Sequence, residues 1–238
     1  MSIWFENNKQ YSFFTNLFRG RRKAVQFIGT PGIVNRFCNG VRMGNAFIKS
    51  LLFSTDMAII ENNDSDAILA VYPFAPSIKI MTSLIKFAEK PVVCGIGGGL
   101  TQGKVALEMA LKAESLGASA IIVNQPFKNK EIEMIKRKIN IPVISSVSTL
   151  EFSFNDRINA GVDIFHITGG KSTIPILEHL NYSAPGYPVM ATGGKNLDHV
   201  KQSILSGADA IVLTPPTTGE LFRPIMNRYR KGLNYLKR

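Results

Sequence analysis

Residues 206–212 read SGADAIV, and variants of this stretch stand at three other places: NDSDAIL (63–69), LGASAII (116–122) and AGVDIFH (160–166). Each ends one segment with a small or turn residue, then places Asp or Ser before an apolar run. Glycine in three of the four fits the stop of a helix. The run that follows is too short for a stable helix and rich in β-branched residues, which reads as a buried strand. Working outward from these four, eight such runs follow one another: 24–29, 67–72, 91–96, 120–125, 142–147, 163–168, 188–193 and 210–214. Apolar residues at helical spacing lie between them, most clearly over Gln102–Leu116, and also over 77–88, 150–160 and 197–205. The same pattern assigns Asp56–Asn62 to the end of a helix, although MAIIEN (57–62) also has the composition of a strand.

Eight strand–helix units in about 215 residues predict an α/β fold, a (β/α)8 TIM barrel. A doubly wound sheet would carry its glycine fingerprint after the first strand, where this chain has Thr30-Pro31-Gly32. The 238 residues divide as an N-terminal helix and basic segment (1–23), the barrel (24–218) and a basic C-terminal helix (219–238), all in one domain. Ile3, Trp4, Phe13, Phe14, Leu17 and Phe18 would be the apolar side of an extra helix over 3–18.

Hydrophobic residues make up 45% and charged residues 19%, and mean hydropathy is +0.07. That composition excludes a wholly disordered chain. No apolar run reaches the roughly 18 residues that cross a bilayer, so no membrane partner is expected. The stretch MSIWFENNKQYSFF lacks a basic region followed by an apolar one, and Cys38 and Cys94 have no zinc or redox spacing. Both features point to the cytoplasm, with two free thiols. The net charge of +11 sits at the ends. Residues 1–23 carry +4 (five basic residues against Glu6) and residues 219–238 carry +5 (six against Glu220), leaving +2 for the rest. Basic ends beside an apolar first helix suggest a homo-oligomer contact. Nucleic acid is the less favoured partner, because a basic patch alone is nonspecific.

In this fold chemistry sits where strands end. With strands as assigned, those ends are rich in glycine, hydroxyl and amide groups and hold no Asp or Glu, so no metal site is expected. The sharpest signal is a duplicated Thr-Gly-Gly-Lys, at 168–171 and 192–195, each followed by a helix-capping residue type, Ser172 or Asn196. Consecutive glycine N–H groups, a helix N-terminus and a lysine together suit a phosphate or carboxylate. The candidate anion-binding residues are therefore Gly169, Gly170, Thr192, Gly193, Gly194 and Lys195, with Gly97 and Gly98 as a further glycine cluster. Tight turns alone would also explain these glycines. His166 alternates with Thr168 on its strand and suits a proton shuttle, and a hydrogen-bonded core histidine is the alternative. Lys171 joins it as a catalytic candidate, with Asn124, Ser145, Ser146 and Thr214 around the substrate.

The stretch ATGGKNLDHVKQSILSGADAIVLT (191–214) resembles the phosphate-binding TIM barrels of the ribulose-phosphate-binding and aldolase-type superfamily. The resemblance implies a substrate phosphate gripped after strands seven and eight, with Gly193 and Gly194 in the first loop. At the eighth strand, relatives carry a Gly-Ser or Gly-Thr pair and this chain has Thr214-Pro215-Pro216-Thr217-Thr218-Gly219, so threonine hydroxyls would stand in. VVCGIGGGLTQGKVALEMALKAESLGASAIIVNQP (92–126) looks like two units of the dihydrodipicolinate synthase group. That group implies a Schiff-base lysine on the sixth strand, where Phe165-His166-Ile167 stands here, which disfavours class I aldolase chemistry.

Together these features predict a metal-independent, cofactor-free enzyme acting on a small phosphorylated or otherwise anionic metabolite by proton transfer, of isomerase or lyase type. The alternatives are a non-catalytic metabolite- or partner-binding barrel, an FMN-binding barrel and a hydrolase.

Overall fold

The structure, a computed structural model, describes residues 28–99, 101–194 and 196–232. The helix expected over 3–18, its proximity to 219–238 and Lys195 lie outside these residues. The described chain opens with a short helix α1 (Gly32–Phe37) and an antiparallel hairpin of β1 (Val41–Met43) and β2 (Ala46–Ile48). Eight parallel strands follow: β3 (Ser50–Phe53), β4 (Ala67–Ala70), β5 (Val92–Gly97), β6 (Ala120–Val123), β7 (Val143–Val147), β8 (Ile164–Ile167), β9 (Val189–Gly194) and β10 (Ala210–Leu213). They pair in chain order, and β10 closes on β3, so the barrel is complete. Helices fill the connections: α2 (Met57–Glu61), α3 (Ile78–Phe87), α4 (Gly103–Ser115), α5 (Asn129–Lys136), α6 (Phe154–Asn159), α7 (Thr173–Ser183), α8 (Leu197–Leu205) and, last, α9 (Thr218–Arg230).

One strand of the eight was misplaced by sequence reading. The first barrel strand is Ser50–Phe53, not 24–29. Of the latter run, Ile28 makes one parallel bridge to Asn63 and stays outside the barrel. SLLF is four residues long, contains no β-branched residue and follows directly on a hairpin, so its signal was weak. MAIIEN proved helical: Asp56 accepts the N–H groups of Ala58 and Ile59 at 2.9 and 3.3 Å and starts α2.

Alternation along the strands builds two cores. Leu51, Leu69, Val93, Ile122, Ile144, Ile164, Met190 and Val212 fill the barrel, together with Val41, Met43 and Ile48 of the hairpin, which plugs its floor. The opposite faces, among them Leu52, Ile68, Cys94, Ile121, Phe165 and Ile211, pack against the helices. Both cysteines are buried and free, and burial pushes their thiols up to about 11 (Cys38) and about 12 (Cys94). They carry almost no thiolate at neutral pH.

The sequence repeat has a mechanical meaning. Its glycines Gly117, Gly161 and Gly207 have φ of 92°, 97° and 91°, the left-handed turn that ends a helix. Its polar residues sit on the barrel floor and tie each even strand to the odd strand before it. Asp66 accepts from the N–H groups of Lys49 and Ser50, both at 2.9 Å, and from the Ser50 hydroxyl. Asp163 accepts from Val143 N–H at 2.7 Å and from the Lys136 ammonium. Asp209 accepts from Val189 N–H at 3.0 Å. Ser119, in the fourth copy, ties in through its backbone to Val92.

Asp66→Ala leaves two backbone N–H groups at the start of β3 without their charged acceptor. It is expected to destabilise the fold by about 2–3 kcal/mol, against well under half of that for Ser119→Ala. Urea denaturation of the two variants against the parent chain measures the difference.

Candidate functional site

His166 stands on the interior face of β8, one alternation above Ile164, and is 5% exposed. Both of its ring nitrogens are engaged. Nδ1 lies 3.1 Å from the Ser146 hydroxyl on β7, and Nε2 lies 2.8 Å from the Thr192 hydroxyl on β9. The parallel register pairs Ser146 with His166 across β7–β8 and His166 with Met190 across β8–β9, so Thr192, two residues beyond Met190 on the same face, stands one alternation higher and within reach of Nε2. Burial holds the imidazole down at about 4, so it is neutral near pH 7. A neutral ring donates from one nitrogen and accepts at the other. Ser146, His166 and Thr192 thus form one directional chain, and the half-buried Thr192 is its end toward the barrel mouth.

Ser145 does not join them. It shares the outward face of β7 with Val143 and Val147, is fully buried, and its hydroxyl has no hydrogen-bond partner among the described residues. Sequence spacing could not separate Ser145 from Ser146, because which of the two faces inward depends on the strand's register.

The two Thr-Gly-Gly-Lys copies share a design. In each, the first glycine is a packing residue. A Cβ on Gly193 would come within 2.7 Å of Val200 and 2.8 Å of Ile211, and one on Gly169 within 2.6 Å of Ile176. The second glycine, Gly194 or Gly170, has φ of 60° with open space where a side chain would point. The helix starts differ. Asn196 caps α8 by accepting Asp198 N–H at 2.9 Å, whereas Ser172 makes no cap bond and ends a 3-10 turn, Gly170–Ser172, that leads into α7. Lys171 is exposed on that turn.

Gly97 and Gly98 lie across the mouth, at the end of β5. Their φ values are 156° and 133°; a Cβ on Gly97 would run into the Thr101 carbonyl, and one on Gly98 would come within 2.6 Å of Asn124. Asn124 N–H bonds Gly97 O at 3.2 Å and Gly98 N–H bonds Thr101 O at 3.0 Å, so this loop is closed on itself, with Asn124 exposed beside it. Thr214 is half-buried beyond β10, and Pro215 and Pro216 after it are buried, leaving no N–H at those two positions for the phosphate of an FMN or a substrate.

Moving the first strand also changes the inventory of acids. Asp56 follows the end of β3 by three residues, so the strand ends are not free of carboxylates. It caps α2 and accepts from the Thr218 hydroxyl; that hydroxyl first, and the two N–H groups with it, hold its carboxyl below the usual range. Arg157, which sequence reading passed over, is buried behind the mouth. Its guanidinium donates to the carbonyls of Phe127 and Gln125 at 2.6 and 2.7 Å and pins the loop after β6.

No family model matches the chain, and no curated protein does. Solved structures do. The chain is similar to a phosphonopyruvate hydrolase in complex with oxalate and Mg2+, at 15% identity and a TM-score of 0.61, covering 77% of this chain and 83% of that one. It is similar to a 2,3-dimethylmalate lyase, described as a member of the PEP mutase/isocitrate lyase superfamily, at 12% identity, TM-score 0.59, covering 86% and 88%. A phosphoenolpyruvate phosphomutase from Streptomyces platensis subsp. rosaceus gives 15%, 0.58, 77% and 83%. At such identities the likeness is one of fold.

The expectation of chemistry without metal or cofactor is corrected here. It rested on strand ends without carboxylates, which Asp56 overturns, and a barrel this similar was solved with Mg2+. The residues themselves do not form a cage for such an ion. Among the described residues no three His, Cys, Asp or Glu side chains are grouped to hold a metal, and Asp56 is committed to its helix cap.

Two measurements follow from this geometry. The neutral imidazole is favoured in the folded chain, so His166 contributes stability that is fully present above about pH 6.5 and lost as the pH falls toward about 4. Thermal unfolding across that range is expected to show this slope, and His166→Gln to flatten it. Gly193→Ala, which collides with Val200 and Ile211, is expected to cost several times the roughly 1–2 kcal/mol of Gly194→Ala, where only the positive φ is strained.

Proposed function

We infer that the barrel mouth binds a small anionic metabolite, phosphorylated or carboxylated, and acts on it by proton transfer, as a lyase- or isomerase-type enzyme. The observation that carries this reading is the Ser146–His166–Thr192 chain ending beside the open glycine turns at Gly170 and Gly194. Thr192 is the group that touches substrate. His166 is the positioning residue behind it, fixing the direction in which the hydroxyl points. His166 stays neutral, so the Thr192 hydroxyl gives its proton to one atom of the substrate as it takes one from another, and no charge is left on the chain. Gly170, Gly194 and the α8 N-terminus favour negative charge, and the exposed Lys171 adds a cation at the lip. The similar barrels whose names carry phosphonopyruvate, oxalate and dimethylmalate support a substrate of this class.

A second reading is a binding barrel without catalysis. The engagement of both His166 nitrogens favours it, because a satisfied core histidine has the same contacts.

Titration calorimetry with inorganic phosphate, oxalate, phosphonopyruvate and sugar phosphates, each with and without Mg2+, is the test. At least one is expected to bind, and Gly194→Asp to weaken it by at least about tenfold through a repelling charge at the turn. Thr192→Val is expected to lower kcat with little change in KM. Unchanged affinity in both Gly194→Asp and Lys171→Ala would remove the anion site. Binding with no turnover of any bound compound would leave the second reading.

A further inference from the structure

We propose that the β4–β6 side of the mouth is a second subsite, which takes a neutral, planar ring of pyrimidine or pyridine size with an amide or carbonyl edge. A cavity of about 190 Å3 opens there. Gly95, which follows Val93 on the inward face of β5, lines it without a side chain. A Cβ there would press on Val71 at 3.2 Å, so any larger residue crowds this wall. The size suits one ring, since a dry cavity of about 150 Å3 accepts benzene.

The walls specify the chemistry. Tyr72 and Phe74 line the cavity. The Tyr72 ring is pinned because its hydroxyl accepts Ser77 N–H at 2.8 Å. Phe74 is 75% exposed, a large apolar ring left in water at the edge of a cavity. Two polar side chains complete the lining, the Asn124 amide and the Thr101 hydroxyl. Both lack a side-chain hydrogen-bond partner among the described residues, so each has capacity left for a ligand. Among the described residues the lining contains no Lys, Arg, His, Asp or Glu to compensate a charged ligand. Aromatic faces stack any flat ring, and an amide with a hydroxyl reads a carbonyl or N–H edge.

The subsite deepens the function inferred above and rests on it in one respect: a single ligand would place its anionic end at the β8–β9 turns and its ring here. β5 and β9 are four strands apart in the closed barrel, and each ends in a register shift at its glycines, Gly95–Gly97 on one and Gly193–Gly194 on the other. The two subsites therefore face each other across the mouth.

Saturation-transfer NMR on the full chain, with uracil, nicotinamide and benzoate as probes, tests the ring site by itself. Uracil or nicotinamide is expected to bind, with benzoate at least about tenfold weaker because of its charge. Phe74→Ala removes an exposed side chain and is expected to weaken the neutral ring about tenfold. Asn124→Ala is expected to weaken it further, and Gly95→Val to abolish it, with circular dichroism confirming the fold. No binding of either neutral ring at about 20 mM overturns the proposal. So does benzoate binding as tightly as uracil, or uracil binding unchanged in Phe74→Ala and Asn124→Ala. The anion reading fails separately: uracil bound without any phosphate or oxalate binding leaves the ring site standing alone.

Discussion

A parallel strand begins with N–H groups that its neighbours do not fully satisfy, and here carboxylates at the floor answer that need. Asp66, Asp163 and Asp209 each stand at the start of an even strand and accept from the first N–H groups of the odd strand before it. These bonds set the height at which paired strands start. A slip of one residue would turn every side chain to the other face. The meeting of Ser146, His166 and Thr192 inside the barrel therefore depends on contacts at its opposite end. The acids were visible as a repeat, but their role was not, because the acceptor and its donors are 16 to 20 residues apart in sequence.

The barrel was legible because seven of its strands are β-branched runs with a turn signal on either side. β3 escaped because Ser-Leu-Leu-Phe has helix-compatible residues and no turn before it; Lys49 alone separates it from β2. The error had a chemical consequence. With the first strand placed too early, Asp56 fell inside a connection, and the mouth looked free of acids. A fold can thus be read correctly while one misplaced strand distorts the inventory of the site.

The site was only partly legible. His166 was found from its place on a strand and Thr192 from the repeated tetrapeptide, and their mutual bond needed the register. The glycine pairs were read as anion turns, and half of each pair has a plainer duty. Gly169 and Gly193 let a helix lie close against a strand, whereas Gly170 and Gly194 are the open members. The cavity at Gly95 left no trace in sequence, since an absent side chain has meaning only when its neighbours in space are known.

The β1–β2 hairpin closes the lower end of the barrel with Val41, Met43 and Ile48, each 2% exposed or less. Among the described residues the interior below the site is filled with buried side chains, so no passage to the floor stands open there. Solvent displaced by an arriving molecule must leave past it through the opening it came in by, and a product must depart the same way before the next molecule enters. In such a dead-end vessel, traffic is single-file, and the loops at the rim govern both arrival and departure.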